Sequence, residues 1–200
     1  MLVFGLTGPS GSGKGEVAQL FASFEIPVLD ADKIYHQLLL PPSPCLGELA
    51  RHFGNGILHP DGSLNRKALS SIVFSDRREL ETLNRISHAY VMRSIRGQLE
   101  RYRNEGVSAV LLDAPQLFEA GADKDCNIIV SVLSSRENRI RRILARDGIT
   151  KEEAERRMDA QKSDAFFRAN SDYVIENDAS LEELLPKVRK ILVETGVLQS

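Results

Sequence analysis

The hydrophobic positions of this 200-residue chain fall into short continuous runs, separated by longer segments with helical spacing. The runs lie at residues 2–8, 26–32, 108–115, 127–133 and 172–177. The runs at 108–115 and 127–133 are the most continuously apolar, which is typical of parallel strands that are covered on both faces. Because helical segments alternate with them, the pattern predicts an α/β protein with a five-stranded parallel sheet flanked by helices.

Residues 45–105 depart from this alternation, because they show short helical patterns and turns and no clear strand. Residues 77–103 predict one long, charged amphipathic helix. Its buried stripe is predicted to contain Leu80, Leu83, Ile86, Tyr90 and Val91. We therefore expect a helical insertion in the α/β core.

Composition and charge favour an ordinary globular domain, with 42% hydrophobic and 27% charged residues. The net charge of −2 gives no overall bias toward nucleic acid or membranes. No apolar run approaches the roughly 18 residues that span a bilayer. Cys45 and Cys126 are far apart, and neither they nor the four histidines show metal-site spacing. We expect reduced thiols in a cytoplasmic protein, and no zinc, nucleic-acid or membrane partner.

A glycine-rich loop, Gly8-Pro-Ser-Gly-Ser-Gly-Lys14, follows the first predicted strand and opens a helix predicted over 14–24. The spacing G-x-x-x-x-G-K in this context predicts a phosphate-binding loop. Glycines let successive backbone N–H groups point inward around phosphate oxygens, and the helix N-terminus adds to the attraction. Lys14 would reach the β- and γ-phosphates. The predicted ATP-binding residues of this region are Gly8, Ser10, Gly11, Ser12, Gly13, Lys14, Gly15 and Glu16.

The two residues after the lysine are unusual, because a Ser or Thr that contacts Mg²⁺ commonly stands there. Gly15 has no hydroxyl, although Mg²⁺ readily keeps several waters and takes oxygens from phosphates and one carboxylate. The "GKG" sequence also resembles adenylate and cytidylate kinases. Glu16 would repel phosphates unless its carboxylate turns outward or joins the outer shell of the metal, and the sequence leaves both alternatives open.

Three aspartates end predicted strands, where the ligand crevice of an open α/β sheet lies. Asp30 and Asp32 are two positions apart, so strand alternation predicts that they share one face. One of them could take the proton of an acceptor hydroxyl, while Asp30 could equally cap the next helix. Asp113 is predicted to be the carboxylate linked to Mg²⁺, directly or through water.

Arginines crowd the segment that follows the fourth strand: Arg136, Arg139, Arg141, Arg142 and Arg146. A charge run of this kind is usually a solvated helix face, and we expect this for most of them. Phosphoryl transfer nevertheless needs mobile cations that close over the γ-phosphate. We expect Arg142 and Arg146 to serve in this way, with Gln161 helping a lid to close.

Several sequence motifs together resemble the dephospho-CoA kinase family, over nearly the whole chain. In order, they are "GLTG…SGKG…PVLDAD", "FGNGILHPDGSLNRKAL", "VFSDRRELETLNRISH", "DAPQLFEAG", "RMDAQ" and "YVIEN". The resemblance implies transfer of the γ-phosphate of ATP to the ribose 3′-hydroxyl of dephospho-CoA, the last step of coenzyme A synthesis. It implies a single kinase unit over residues 1–200. This unit comprises a P-loop kinase core at residues 1–32, 106–135 and 163–200, a helical CoA-binding subdomain at 33–105 and a short mobile lid at 136–162.

The resemblance also implies roles for individual residues. Asp32 handles the acceptor hydroxyl, and Asn177 contacts the adenine of ATP. Dephospho-CoA is bound by Arg66, His88 and Glu119. The departures from the family pattern are Gly15, Glu16, Asn65, Ala89 and Gln116. The implied ligands are ATP with Mg²⁺ and dephospho-CoA, and we expect a monomer or a weak oligomer.

Two other functions fit parts of the sequence. The loop alone would suit a nucleoside monophosphate kinase of the adenylate or cytidylate type, although "DAD" and the insertion "FGNGIL…DGSLNR" argue against it. Gly15 and Glu16 would suit a degenerate kinase that binds nucleotide without transferring phosphate. The retained Lys14, Asp32 and Asp113 argue against that alternative.

Overall fold

The computed structural model describes residues 1–178 and 180–199. Five strands form one parallel sheet in the order β2-β3-β1-β4-β5. They are β1 Leu2–Thr7, β2 Val28–Asp30, β3 Ala109–Asp113, β4 Ile128–Leu133 and β5 Tyr173–Glu176. Each of the five strands lies within one of the five predicted apolar runs. The predicted α/β fold class is therefore confirmed.

Helices lie between most of these strands and after β5. They are α1 Lys14–Ser23, α2 Ala31–Leu38, α3 Pro44–Phe53, α4 Arg66–Val73, α5 Arg77–Asn104, α6 Arg136–Asp147, α7 Lys151–Asp159, α8 Asp164–Ala169 and α9 Leu181–Glu194. Two 3-10 turns occupy Asn55–Ile57 and Ala122–Asp125. The short helix α8 was not predicted, because six residues are too few to show a helical period; the side chain of Ser163 caps it.

The chain divides into two compact units. One comprises Met1–Leu29 and Tyr102–Ser200, and the other comprises Asp30–Arg101. The first contains four strands, the start of β2 and helices α1 and α6–α9, and the second contains α2–α4 and most of α5. The finer division into core, insertion and lid stays a prediction.

The core of the first unit lies on the sheet. Strand β3 is buried along its whole length, as expected for a central strand covered on both faces. Helices α1 and α9 pack on the sheet through apolar stripes, and the rings of Phe4 and Phe21 lie 5.4 Å apart. This packing fixes the carboxyl ends of β1, β3 and β4, from which the glycine loop, Asp113 and α6 start.

The second unit has its own apolar cluster, centred on Leu49 and Ile57, which are fully buried. All five residues of the predicted α5 stripe are buried or half-buried. Leu58 and Leu64 form an isolated antiparallel bridge on either side of a turn at Pro60 and Asp61. Within the part of the chain that the structure describes, no helix combines the length and apolarity needed to cross a membrane.

Candidate functional site

The glycine loop joins β1 to α1 and is shaped by backbone that only glycine adopts easily. Gly11 and Gly13 have φ angles of +79° and +84°. A Cβ at Gly11 would lie 2.6 Å from the carbonyl oxygen of Arg139, and one at Gly13 would lie 2.0 Å from Nδ2 of Asn177. Larger residues are therefore excluded by neighbours as well as by backbone conformation. The loop lies directly on α6 and on the segment after β5.

Lys14 and Asp113 meet at the end of this loop, where α1 begins, and Lys14 Nζ forms an ion pair with Asp113 Oδ1. The two side chains are only 16% and 10% exposed. Lys14 is the first residue of α1 and Asp113 is the last of β3. The sheet thus places a cation and a carboxylate, both predicted for phosphate and metal binding, in direct contact.

Arg142 was predicted to approach the γ-phosphate, and here its guanidinium contacts the protein. Nη1 donates to the carbonyl oxygens of Gly11 and Ser12 and to Oγ of Ser134, all at 3.2 Å. Nη2 donates to the carbonyl oxygen of Asn177 at 3.1 Å. Its role as a phosphate ligand stays a prediction.

Arg139 lies deeper in the same helix and is only 7% exposed. The expectation of a solvated arginine face is met by Arg136 and Arg141, but it is wrong for Arg139. Its Nε donates to the carbonyl oxygen of Ser10 at 3.0 Å. Burial lowers the pKa of Arg139 from its ordinary value, while Asp164, 3.4 Å away, opposes that shift. A guanidinium stays charged even so. Sequence reasoning missed this residue because helical spacing alone does not show which face meets the loop.

Two further predicted residues meet at Ser10. Gln161 Oε1 accepts a hydrogen bond from the Ser10 N–H at 3.0 Å. Arg146 Nη2 lies 3.4 Å from the Ser10 hydroxyl. Arg146 also forms paired bonds of 2.7 and 2.9 Å to Asp147, and its side chain is 60% exposed. Of the two predicted lid arginines, Arg146 is therefore the more exposed one.

Glu16 and Asn177 form the contact that concerns the unusual "KGE" sequence. Asn177 is completely buried, and its Nδ2 donates to the Ser12 carbonyl oxygen at 2.9 Å and to Glu16 Oε2 at 3.1 Å. The Glu16 carboxylate is thus bound by a neutral amide. Among residues 1–178 and 180–199, Ser12 Oγ and Asn177 Oδ1 are buried without a hydrogen-bond partner. A Cβ at Gly15 would have open space around it.

Of the two aspartates near the end of β2, Asp30 confirms the predicted alternative of a helix cap, whereas Asp32 lies on a different element from the one predicted. The strand ends at Asp30, whose Oδ1 accepts from the Lys33 N–H at 2.9 Å and caps α2. Asp32 lies in the first turn of α2. The prediction that strand alternation puts both on one face is therefore wrong, because the helix begins directly after Asp30. Asp32 keeps its predicted role, which the structure leaves untested.

The remaining predicted acceptor residues lie on separate elements. Arg66 is the first residue of α4, after the capping side chain of Asn65, which accepts from the Ala68 N–H at 3.0 Å. Asn caps helices as well as Asp does, so this departure from the family pattern preserves the cap. His88 lies within α5, and Glu119 follows β3 with its Oε1 3.7 Å from Lys162 Nζ.

The loop region suits a magnesium–nucleotide complex better than a metal held by protein alone. Within the described part of the chain, no three His, Cys, Asp or Glu side chains are grouped for metal binding. Mg²⁺ commonly takes one carboxylate, phosphate oxygens and waters. The little-exposed carboxylate of Asp113 beside the loop lysine meets that requirement.

The loop after β1, the lysine that opens α1 and the parallel sheet define a P-loop kinase. The same fold is seen in shikimate kinase from Acinetobacter baumannii, with a TM-score of 0.55 and 18% identity over 98% of this chain and 94% of that one. Dephospho-CoA kinase from Campylobacter jejuni also shares the fold, with a TM-score of 0.73 and 24% identity over 98% of both chains.

The chain belongs to the dephospho-CoA kinase family, whose model matches residues 2–183. It is 40% identical to the dephospho-CoA kinase of Symbiobacterium thermophilum over 188 residues, covering 94% of this chain and 79% of that protein. It is 35% identical to that of Arabidopsis thaliana, covering 97% and 84%. The crystal structure of TT1252 from Thermus thermophilus superimposes with a TM-score of 0.82, at 34% identity over 96% of this chain and 97% of that one. The family indicated by the sequence motifs is thus confirmed.

Proposed function

We propose that the protein transfers the γ-phosphate of ATP to the ribose 3′-hydroxyl of dephospho-CoA, giving coenzyme A and ADP. The observation that supports this most directly is the contact between Lys14 and Asp113 at the mouth of the glycine loop. It occurs in a chain whose match to the dephospho-CoA kinase family spans residues 2–183. We place the reaction in the cytoplasm and expect a monomer or weak oligomer with no nucleic-acid or membrane partner.

The glycine loop and Lys14 hold the triphosphate in this proposal. Backbone N–H groups of the loop bind phosphate oxygens, and Lys14 leaves Asp113 to contact the β- and γ-phosphates. Bound Mg²⁺ would neutralise charge on those oxygens, with Asp113 as its carboxylate, directly or through water. Arg146, which is exposed and close to Ser10, is the best-placed mobile cation for the transition state.

Asp32 serves as the general base of the transfer. Its carboxylate takes the proton of the 3′-hydroxyl as the new oxygen–phosphorus bond forms. The bond between the γ-phosphorus and the bridging oxygen breaks, and ADP departs with that electron pair. In this proposal Arg66, His88 and Glu119 bind dephospho-CoA. The adenine contact implied for Asn177 stays a prediction, because Asn177 is completely buried here and its side-chain amide is bound to Ser12 and Glu16.

An acceptor panel tests the proposal. ADP formation would be followed with ATP, titrated Mg²⁺ and one acceptor at a time: dephospho-CoA, AMP, CMP or UMP. We expect turnover with dephospho-CoA far above that with the three monophosphates. Faster turnover with a monophosphate would support the monophosphate-kinase alternative. Tight ATP binding with no turnover on any acceptor would support the degenerate-kinase alternative, and either outcome would overturn the proposal.

A further inference from the structure

Three successive carbonyl groups of the glycine loop point toward helix α6. The Ser10 oxygen accepts from Arg139 Nε at 3.0 Å, and the Gly11 and Ser12 oxygens each accept from Arg142 Nη1 at 3.2 Å. Asn177 Nδ2 adds a bond of 2.9 Å to the Ser12 oxygen. The carbonyl side of the loop is therefore occupied by donors of the protein itself.

The direction of these carbonyls determines the direction of the loop N–H groups. In a trans peptide, the C=O of one residue and the N–H of the next point in opposite directions. Binding of the Ser10 and Ser12 oxygens therefore turns the N–H groups of Gly11 and Gly13 away from α6. The intervening Ser12 N–H closes a turn onto the Pro9 oxygen at 3.1 Å. Gly11 and Gly13 have the left-handed backbone typical of anion-binding nests.

The guanidinium of Arg139 is buried and held by contacts with several other residues, unlike an exposed lid cation. Its side chain is 8% exposed, and its other guanidinium nitrogens lie 3.4 Å from Asp164 Oδ1 and 3.3 Å from Gln161 Oε1. The same Gln161 oxygen accepts from the Ser10 N–H. Arg139 and Gln161 thereby bind both backbone groups of Ser10.

We propose that Arg139 is a positioning residue for ATP, which holds the Ser10 carbonyl against α6 and thereby turns the Gly11 N–H toward the phosphates. Gln161 completes this arrangement at Ser10. Because the loop is oriented before ATP arrives, binding does not have to reorganise it. The inference rests on the proposed function of the loop as the ATP site, but it concerns a residue that need not touch the nucleotide.

Binding measurements on the full chain test this inference. The probes are a non-hydrolysable ATP analogue and inorganic tripolyphosphate, with Arg139→Met, Arg139→Lys and, as a matched control from the exposed face of α6, Arg141→Met. We expect Arg139→Met to raise the Kd of both probes by about tenfold and by the same factor, because one charge-assisted bond to the loop is lost and adenine is not involved. Arg139→Lys should lie between Arg139→Met and the wild type, since it keeps a charged donor without the fork. Arg141→Met should not change either Kd.

Steady-state kinetics distinguish a role of Arg139 in positioning the loop for ATP from a general loss of folded structure. For Arg139→Met we expect a higher KM for ATP, with the KM for dephospho-CoA and kcat within about threefold of wild type. A purely structural role would lower the melting temperature and affect both KM values alike. Should Arg139→Met fail to fold, Gln161→Met, which removes the shared acceptor at Ser10, should raise the probe Kd in the same direction by a smaller factor.

Unchanged Kd values for both probes in a folded Arg139→Met, or in Gln161→Met if the first does not fold, would overturn the inference. This failure differs from failure of the proposed function. If the proposed function were wrong, the wild type would show no turnover that depends on dephospho-CoA. If only the inference about Arg139 were wrong, the wild type would turn over and the variants would bind the probes with the same Kd as the wild type.

Discussion

The side-chain amide nitrogen of Asn177 lies 3.1 Å from a carboxylate oxygen of Glu16. Glu16 stands in the first turn of α1, where a negative charge is favourable to the helix, and Asn177 directly follows β5. The carboxylate that sequence reasoning placed beside the phosphates is therefore tied to a buried amide that also supports the Ser12 carbonyl. This contact gives the charge a structural role beside the loop.

The Asn177–Glu16 contact predicts that substitutions of these two residues have non-additive effects on the free energy of unfolding. Asn177→Asp should lower the free energy of unfolding by about 3 kcal/mol, because a buried donor to Ser12 is lost and a second carboxylate faces Glu16. Glu16→Gln should recover part of this loss in the Asn177→Asp background, but should not stabilise the wild type. Urea unfolding of the four proteins measures both effects. Strictly additive changes would contradict a direct contact between the two side chains.

Gly15→Ser tests whether the missing hydroxyl weakens the magnesium complex. The substitution is sterically free, because a Cβ at Gly15 meets nothing within 4 Å. We expect the half-saturating Mg²⁺ concentration in the kinase assay to fall, since a hydroxyl in this position is a common Mg²⁺ ligand.

Gly97→Ser is the matched control for this test. Gly97 also lies in a helix, and its Cβ position is equally open, so the change in helix propensity is the same in kind. Its Mg²⁺ dependence should equal that of the wild type. If Gly15→Ser behaved in the same way as Gly97→Ser, water would already complete the magnesium shell, with Asp113 as the remaining protein carboxylate.

Asp30→Asn and Asp32→Asn should separate a helix cap from a catalytic base. Asn caps helices as well as Asp, so Asp30→Asn should keep kcat within about threefold of wild type. Asp32→Asn cannot accept the hydroxyl proton and should lower kcat by roughly 10² to 10⁴, with little change in stability. Single-turnover phosphorylation of dephospho-CoA measures the difference. Equal losses in the two variants would argue against Asp32 as the base.

We expect Asp178 to make a pH-dependent contribution to the free energy of unfolding. Its Oδ1 accepts from Asn138 Nδ2, Ser134 Oγ and the Ser135 N–H at 2.7–2.9 Å, which lowers the pKa of Asp178 below its ordinary value of 3.8. A lowered folded-state pKa stabilises the protein above about pH 4, and this stabilisation is lost as the pH falls through the folded-state value. The gap in unfolding free energy between wild type and Asp178→Asn should therefore shrink from pH 6 to pH 3. A gap that stays constant over this range in urea unfolding would contradict the prediction.

The sequence predicted the strands and the loop well because both depend on local pattern. Five apolar runs correspond to five strands, and the loop motif lies between β1 and α1 as its spacing required. The long helix was predicted over residues 77–103 and is observed at Arg77–Asn104. In each case the determining signal, whether periodicity or glycine spacing, lies within the segment itself.

The errors arose where one element ends and another begins, or where distant segments meet. Asp32 was assigned to a strand face because "IPVLDAD" is continuous in sequence, although the Asp30 cap starts α2 within it. Arg139 looked like one member of a charged helix face. Its burial depends on which turn of α6 lies against a loop about 130 positions earlier, at Ser10.

The fold class, the loop motif and the family could be predicted without coordinates, because local periodicity and the order of motifs carry them. Which side chains contact the loop depends on how distant segments pack. Arg139 and Arg142 face its carbonyls, Glu16 binds Asn177, and Lys14 pairs with Asp113. These contacts join residues that follow or end different strands. The order of the strands in the sheet brings these residues together, although they are far apart along the chain.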